Sequence, residues 1–185
     1  VSRVSEIIPM VFRAKPKQYE YGTVMLHLSF YELDGLHAAI TPIHIYTPAN
    51  DDGKYTLDDD PHITLLYGLH NHINENEVAD SLSEFTYSTC KINNVSLFQN
   101  GYDVLKFDVS GENLSESNEK LKELPHYTDY PTYQPHLTIA YLNKGFGERY
   151  VKRFANKSYS VKPKHIVYTK PNGKKYKIDI NYERG

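Results

Sequence analysis

The chain has 185 residues, enough for one domain or two small lobes sharing a core, and its 39% hydrophobic content is ordinary for a globular chain. A net charge of −2 argues against a basic domain that tracks long duplex nucleic acid, and no apolar run approaches the ~18 residues of a membrane-spanning helix. The one cysteine, Cys90, excludes a disulfide framework and a cysteine-based metal site; with no apolar signal stretch at the start, the expectation is a cytoplasmic protein with no membrane contact.

Residues 1–20, with Pro9 and Pro16, read as an irregular N-terminal arm, and residues 21–185 as the folded domain. Val24, Leu26, Leu28 and Phe30 alternate over 22–30 and predict a first strand. A short helix is expected over 33–40, ending at Thr41-Pro42. Residues 48–60 form a surface loop carrying Asp51, Asp52, Asp58, Asp59 and Asp60. Asn74 is a candidate N-cap for a helix running to about residue 85. Strands follow near 89–98 and 102–109, then a helix over 114–124 that stops before Pro125, with Asn113 as its candidate cap. Residues 126–135 form an aromatic loop, Gly147 to Ala155 suggests a short helix, and strands over 159–169 and 174–181 flank the turn signal Pro171-Asn172-Gly173. This order predicts an α+β fold with mostly antiparallel pairing, in two strand–helix halves related by a pseudo-two-fold axis.

Each half carries one copy of a repeated strand. Pro61-His62-Ile63-Thr64-Leu65-Leu66-Tyr67-Gly68 returns as Pro135-His136-Leu137-Thr138-Ile139-Ala140-Tyr141-Leu142, with the histidines 136 − 62 = 74 residues apart. Side chains alternate along a strand, so His62 and Thr64 share a face, roughly 6.5–7 Å apart, as do His136 and Thr138. By the same alternation Tyr67 and Tyr141 are expected to face the core. A lone His-x-Thr is more often a packed pair without chemistry, but packing does not require a His and a Thr on one face twice. Two imidazoles and two hydroxyls brought together suit a phosphodiester. One histidine takes a proton, the other gives one, and the threonines hydrogen-bond the non-bridging oxygens. Which histidine is the base stays open.

Paired His-x-Thr strands in a chain of this size resemble the 2H phosphoesterase superfamily. The resemblance implies a bilobal fold of two mainly antiparallel sheets with flanking helices. It also implies a metal-free cleft between the lobes that breaks phosphodiesters, with His62, Thr64, His136 and Thr138 as the catalytic set. With Tyr21-Gly22-Thr23-Val24-Met25 and Tyr133-Gln134 joined to the two motifs, the chain is most similar to the bacteriophage anti-CBASS nucleases, from about residue 19 onward. That similarity implies a phage hydrolase for immune evasion, acting without cofactor or metal on cyclic di- and trinucleotide signals. Base stacking on Trp has no candidate here, because the chain has none, and Tyr or Phe must take that place. Tyr21, Tyr130 and Tyr133 are the candidates for stacking, and Lys164 and Lys174, from the basic C-terminal segment, for approaching a phosphate.

Three other readings stand beside this one. A metal hydrolase would use His62, His70 and His72 with Asp58, Asp59 and Asp60. A non-catalytic module would sequester a cyclic nucleotide. A housekeeping member of the same superfamily would act on RNA 2′,3′-cyclic phosphates or 2′–5′ linkages. Oligomeric state, base preference and ring size are not legible.

Overall fold

A computed structural model describes residues 3–9, 18–48, 57 and 60–183. Most of the predicted acidic loop, including Asp51, Asp52, Asp58 and Asp59, lies outside the described residues.

The described strands build two halves joined through one long strand. The first half contains β1 (Val4–Ile7), β2 (Gly22–Ser29), β3 (His62–Leu69), β8 (Tyr159–Thr169) and β9 (Lys175–Ile178), in the order β3-β2-β8-β9-β1. The second contains β5 (Cys90–Gln99), β6 (Asp103–Ser110) and β7 (His136–Leu142), in the order β8-β5-β6-β7. Every pairing between these strands is antiparallel. β8 serves both halves because it is long enough to be divided: residues 159–161 pair with β5, and residues 162–169 pair with β2. The two motif strands, β3 and β7, therefore end their halves, and they pack alongside each other. The expected α+β, mainly antiparallel, two-halved architecture is what the chain adopts.

The helices cross between the halves. α1 (Leu33–Ala38) follows β2 yet packs against β7, and α3 (Leu114–Leu121) follows β6 yet packs against β3. α2 (Glu75–Leu82) follows β3, and α4 (Glu148–Phe154) follows β7. The core lies under the motif strands, where Ile63, Leu65, Leu66, Leu137, Ile139 and Ala140 are buried with Leu105, Phe107, Leu114 and Leu121. Cys90 is part of it, and burial pushes its thiol up to about 11, as expected of an inert packed cysteine.

Local chemistry explains where elements begin. Asn74 caps α2 with a reciprocal pair: its side chain accepts from the Glu77 amide, and the Glu77 carboxylate accepts from the Asn74 amide. Asn113 does not cap α3 as the sequence suggested. It is left-handed (φ 63°), and its amide instead donates to the Thr86 carbonyl at 2.6 Å. This ties the helix start to β4 (Thr86–Tyr87), which pairs with β10 (Asn181–Tyr182). The first twenty residues, read as an irregular arm, contain β1, whose Val4 and Ile7 sit opposite Ile178 and Lys175 of β9. A strand of four residues leaves too little pattern to read.

Gly68 marks the one place where the repeated strands must differ. Its φ is +127°, and a Cβ there would stand 1.8 Å from the Tyr127 carbonyl oxygen. Its own carbonyl accepts from the Tyr127 amide at 2.9 Å, so the aromatic loop lies directly on β3. Leu142, the equivalent residue of β7, is fully buried instead.

Candidate active site

The two motifs are seated by the same hydrogen bonds. The Pro61 carbonyl accepts from the Leu28 amide at 2.9 Å, and the Pro135 carbonyl from the Val109 amide at 3.0 Å. Each proline thereby enters its ladder through its carbonyl, where its missing N–H costs nothing. His62 then places Nδ1 2.9 Å from the Asp60 carbonyl, and His136 places Nδ1 3.0 Å from the Gln134 carbonyl. A carbonyl can only accept, so Nδ1 carries the hydrogen in both rings and Nε2 is left as the nitrogen with a lone pair to offer.

Both strands also carry a bulge at the same step. Met25 pairs with Thr64 while the next residue, Val24, pairs with Leu66, leaving Leu65 extra; Lys106 pairs with Thr138 while Leu105 pairs with Ala140, leaving Ile139 extra. The extra residue reverses the alternation, which corrects the expectation for the tyrosines. Tyr67 is 46% exposed and Tyr141 half-buried, and both line the cavity with the threonines instead of facing the core. Each bulge frees a carbonyl from the ladder, and a side chain from the opposite half satisfies it. Asn118 of α3 donates its amide to the Leu65 carbonyl at 2.7 Å, and His37 of α1 donates Nε2–H to the Ile139 carbonyl at 2.9 Å.

A cavity of about 760 Å³ opens between the motif strands. Thr64, His136 and Thr138 line it together with Tyr67, Phe98, Tyr102, Tyr130, Tyr133 and Tyr141. His62 does not line it; a charge on its ring would lower the proton affinity of His136. His136 lies below the ordinary histidine range, first because burial disfavours its cation, then through Lys106 and His62; the Gln134 carbonyl and Asp108 act the other way. Around His62 the neighbours are different. Its ring lies 5.7 Å from His27, which stacks at 5.4 Å on His165, so three histidines form a row across β3, β2 and β8. Asp60 accepts from His27 Nδ1 at 2.9 Å, and that bond holds its carboxyl below the usual range against burial, which acts the other way, helped by charge on His27, His62 and Lys164.

The weaker sequence candidates fall in different places. Tyr130 and Tyr133 line the cavity, and the Tyr133 hydroxyl donates to the Thr64 carbonyl at 2.8 Å. Tyr21 does not line it but is stacked on Tyr127 at 5.7 Å and edge-on, at 5.9 Å, to Tyr67, which does. Lys164 lies in a shallow depression with Tyr31, Glu32 and Lys162, and Lys174 lies in the β8–β9 turn, where its charge acts on Glu75. Neither lysine lines the cavity. Among the described residues no group of three or more His, Cys, Asp or Glu is placed to hold a metal ion; Asp58 and Asp59 of the metal reading lie outside them. Sequence reasoning missed Lys106, Phe98 and Tyr102. Lys106 left one signal, since Lys106 and Asp108 are the polar members of an alternation whose apolar members are Leu105, Phe107 and Val109.

The geometry has a counterpart among known families. The family model of the 2′-5′ RNA ligase superfamily matches residues 32–168, which include both motif strands and both crossing helices. No curated protein is matched. With that match covering well over half its length, the chain belongs to the 2′-5′ RNA ligase superfamily, the 2H phosphoesterases.

Proposed function

We propose that this chain is a phosphodiesterase that opens 3′–5′ cyclic di- or trinucleotide messengers without a metal ion, as a phage protein would to evade CBASS immunity in the host cytoplasm. The observation that carries the reading is the pair of matched His–Thr ledges, each with Nδ1 pinned to a carbonyl, beside a cavity lined by six tyrosine and phenylalanine rings. A phosphate between the ledges would receive hydrogen bonds from Thr64 and Thr138 on its non-bridging oxygens. One neutral imidazole takes the proton of the adjacent ribose 2′-hydroxyl as the new P–O bond forms. The other, protonated, gives its proton to the departing 5′-oxygen. The product is a linear oligonucleotide ending in a 2′,3′-cyclic phosphate, which water can open. Phe98, Tyr102, Tyr130, Tyr133 and Tyr141 offer flat faces for bases in the absence of Trp, each such contact worth about 1–3 kcal/mol.

The family match favours a second reading, hydrolysis of 2′–5′ linkages or terminal 2′,3′-cyclic phosphates in linear RNA. One experiment separates the two. The protein is incubated with a panel of cyclic di- and trinucleotides and linear 2′–5′ and 2′,3′-cyclic substrates, with EDTA present, and the products are read by chromatography. Linear products from cyclic substrates support the first reading, and turnover confined to linear substrates supports the second. Intact cyclic ligand recovered from a tight complex would make the chain a sequestering module.

A further inference from the structure

Equivalent positions in the two halves hold different charges. On the first half, β2 sets Met25 beside Thr64 and His27 beside His62; on the second, β6 sets Lys106 beside Thr138 and Asp108 beside His136. Residues paired across neighbouring strands share a face, so Met25 and Lys106 occupy the same place relative to the two threonines. Lys106 is only 7% exposed. Its ammonium donates to Ser96 Oγ at 2.8 Å and Asp108 Oδ1 at 3.2 Å and lies 4.5 Å above the Phe98 ring, which meets the His136 ring edge-on at 5.1 Å. A cation is thereby fixed on the His136 side by three partners. On the His62 side the fixed charge is the Asp60 carboxylate, bonded to His27.

We propose that Lys106 divides the labour of the two histidines, making His136 the general base and His62 the general acid. This rests on the phosphodiesterase reading above. A base must arrive neutral and an acid must arrive protonated. The charged and titratable groups facing His136 are Lys106 and Asp108 on β6 and His62 on β3. Asp108 opposes Lys106, but its carboxylate is half exposed to water and already shared with the lysine, so the buried cation dominates. The groups facing His62 are His27, on the neighbouring strand, Asp60 and His136, with Lys164 and His165 behind the first two. In the first step the 2′-oxygen bonds to phosphorus as its proton passes to Nε2 of His136. The bond from phosphorus to the 5′-oxygen breaks as Nε2 of His62 supplies that oxygen with a proton. Opening of the 2′,3′-cyclic phosphate runs in reverse: neutral His62 accepts a proton from water, and protonated His136 returns one to the 2′-oxygen. The enzyme ends with both histidines as they began.

The test uses Lys106→Met, which installs the side chain that the equivalent position already carries. Two measurements are made: kcat/KM across pH on the best substrate of the panel, and imidazole NMR titration of His136 in the free protein. In the unmodified protein the His136 titration should coincide with the acidic limb of kcat/KM. In the variant both should move up together, by about half to one pH unit for a cation lost at this range, while the alkaline limb stays in place. Coincidence of His136 with the alkaline limb, or an acidic limb that does not move, overturns the assignment. The first comparison needs no variant, so a misfolded Lys106→Met leaves the proposal open to refutation. A His136 that titrates as expected in a protein turning over no phosphodiester brings down the functional reading, and the division of labour with it. Turnover with the wrong limb moving brings down the division of labour alone.

Discussion

On β3 the extra residue of the bulge is Leu65, and its carbonyl accepts from Asn118 of α3; on β7 it is Ile139, and the donor is His37 of α1. In both cases the helix comes from the other half, so each motif strand is steadied by the half it does not belong to. The likeness extends to the proline carbonyls and to the Nδ1 bonds of His62 and His136. It stops at the side chains alongside, where the places held by Met25 and His27 in one half are held by Lys106 and Asp108 in the other. The repeated part is backbone, and the unrepeated part is charge. Acid–base chemistry needs both, because two proton carriers must present the same atom to the phosphate yet differ in their hold on the proton.

The sharpest way to break this comparison is to remove one imidazole at a time. His62→Ala and His136→Ala are each expected to lower turnover by about 10²–10⁴-fold, the worth of one general acid–base step. Folding should persist, since both rings sit at strand starts with partial exposure. Near-normal turnover in either variant would end the two-histidine reading. The next largest effect belongs to the one position where the strands cannot be alike. Gly68→Ala places a Cβ on the Tyr127 carbonyl at a φ of +127° and is expected to cost about 3–5 kcal/mol in chemical denaturation. A cost below 1 kcal/mol would mean that the aromatic loop moves off β3 easily.

That His62 and Thr64 share a strand face, as His136 and Thr138 do, was readable because a spacing of two on a strand is a local fact, needing no knowledge of neighbours. The same local rule failed three residues later. Leu65-Leu66 and Ile139-Ala140 look like any buried strand, and only the pairing register reveals that one residue of each pair is extra and that the tyrosines turn toward the cavity. α2 was legible from Asn74 and Glu77, which make a cap within four residues, whereas Asn113 was misread because its partner, the Thr86 carbonyl, is 27 residues away. Tyr130 and Tyr133 lie in a loop that is visibly aromatic. Phe98 and Tyr102 belong to the β5–β6 hairpin, and only the packing of two halves brings them to the cavity.

A smaller effect is expected from the cross-half bonds. Asn118→Leu and His37→Leu keep apolar volume but strand a bulge carbonyl in the interior, so each should cost about 1–3 kcal/mol. Similar losses would support matched roles for the two helices. An unchanged midpoint for one variant would show that its bulge is held by the strand alone and that the halves differ in their backbone as well as in their charge.

The smallest effect is a pH dependence of stability, and it separates the halves by location. His136 and His165 both have proton affinities lowered, chiefly by burial. An unfolded chain restores each to about 6.5 and so binds more protons than the native state as pH falls below that value. Stability contributed by the neutral rings is therefore complete above about pH 7. It declines through the window between the unfolded value and the lower folded one. Asp60 follows the same rule at more acidic pH, since its bond to His27 lowers its carboxyl and that contribution is lost only as pH falls through the folded value. Denaturation midpoints measured at pH 7.5 and 5.5 should fall on acidification. His136→Gln and His165→Gln should each flatten part of that decline, because glutamine does not titrate. Lys106→Met should flatten it for the second half only, because the lysine is among the groups that lower His136 but not among those that lower His165. If His165→Gln proves as sensitive to pH as the unmodified protein while His136→Gln does not, the charge asymmetry extends from the cavity to the histidine row behind it.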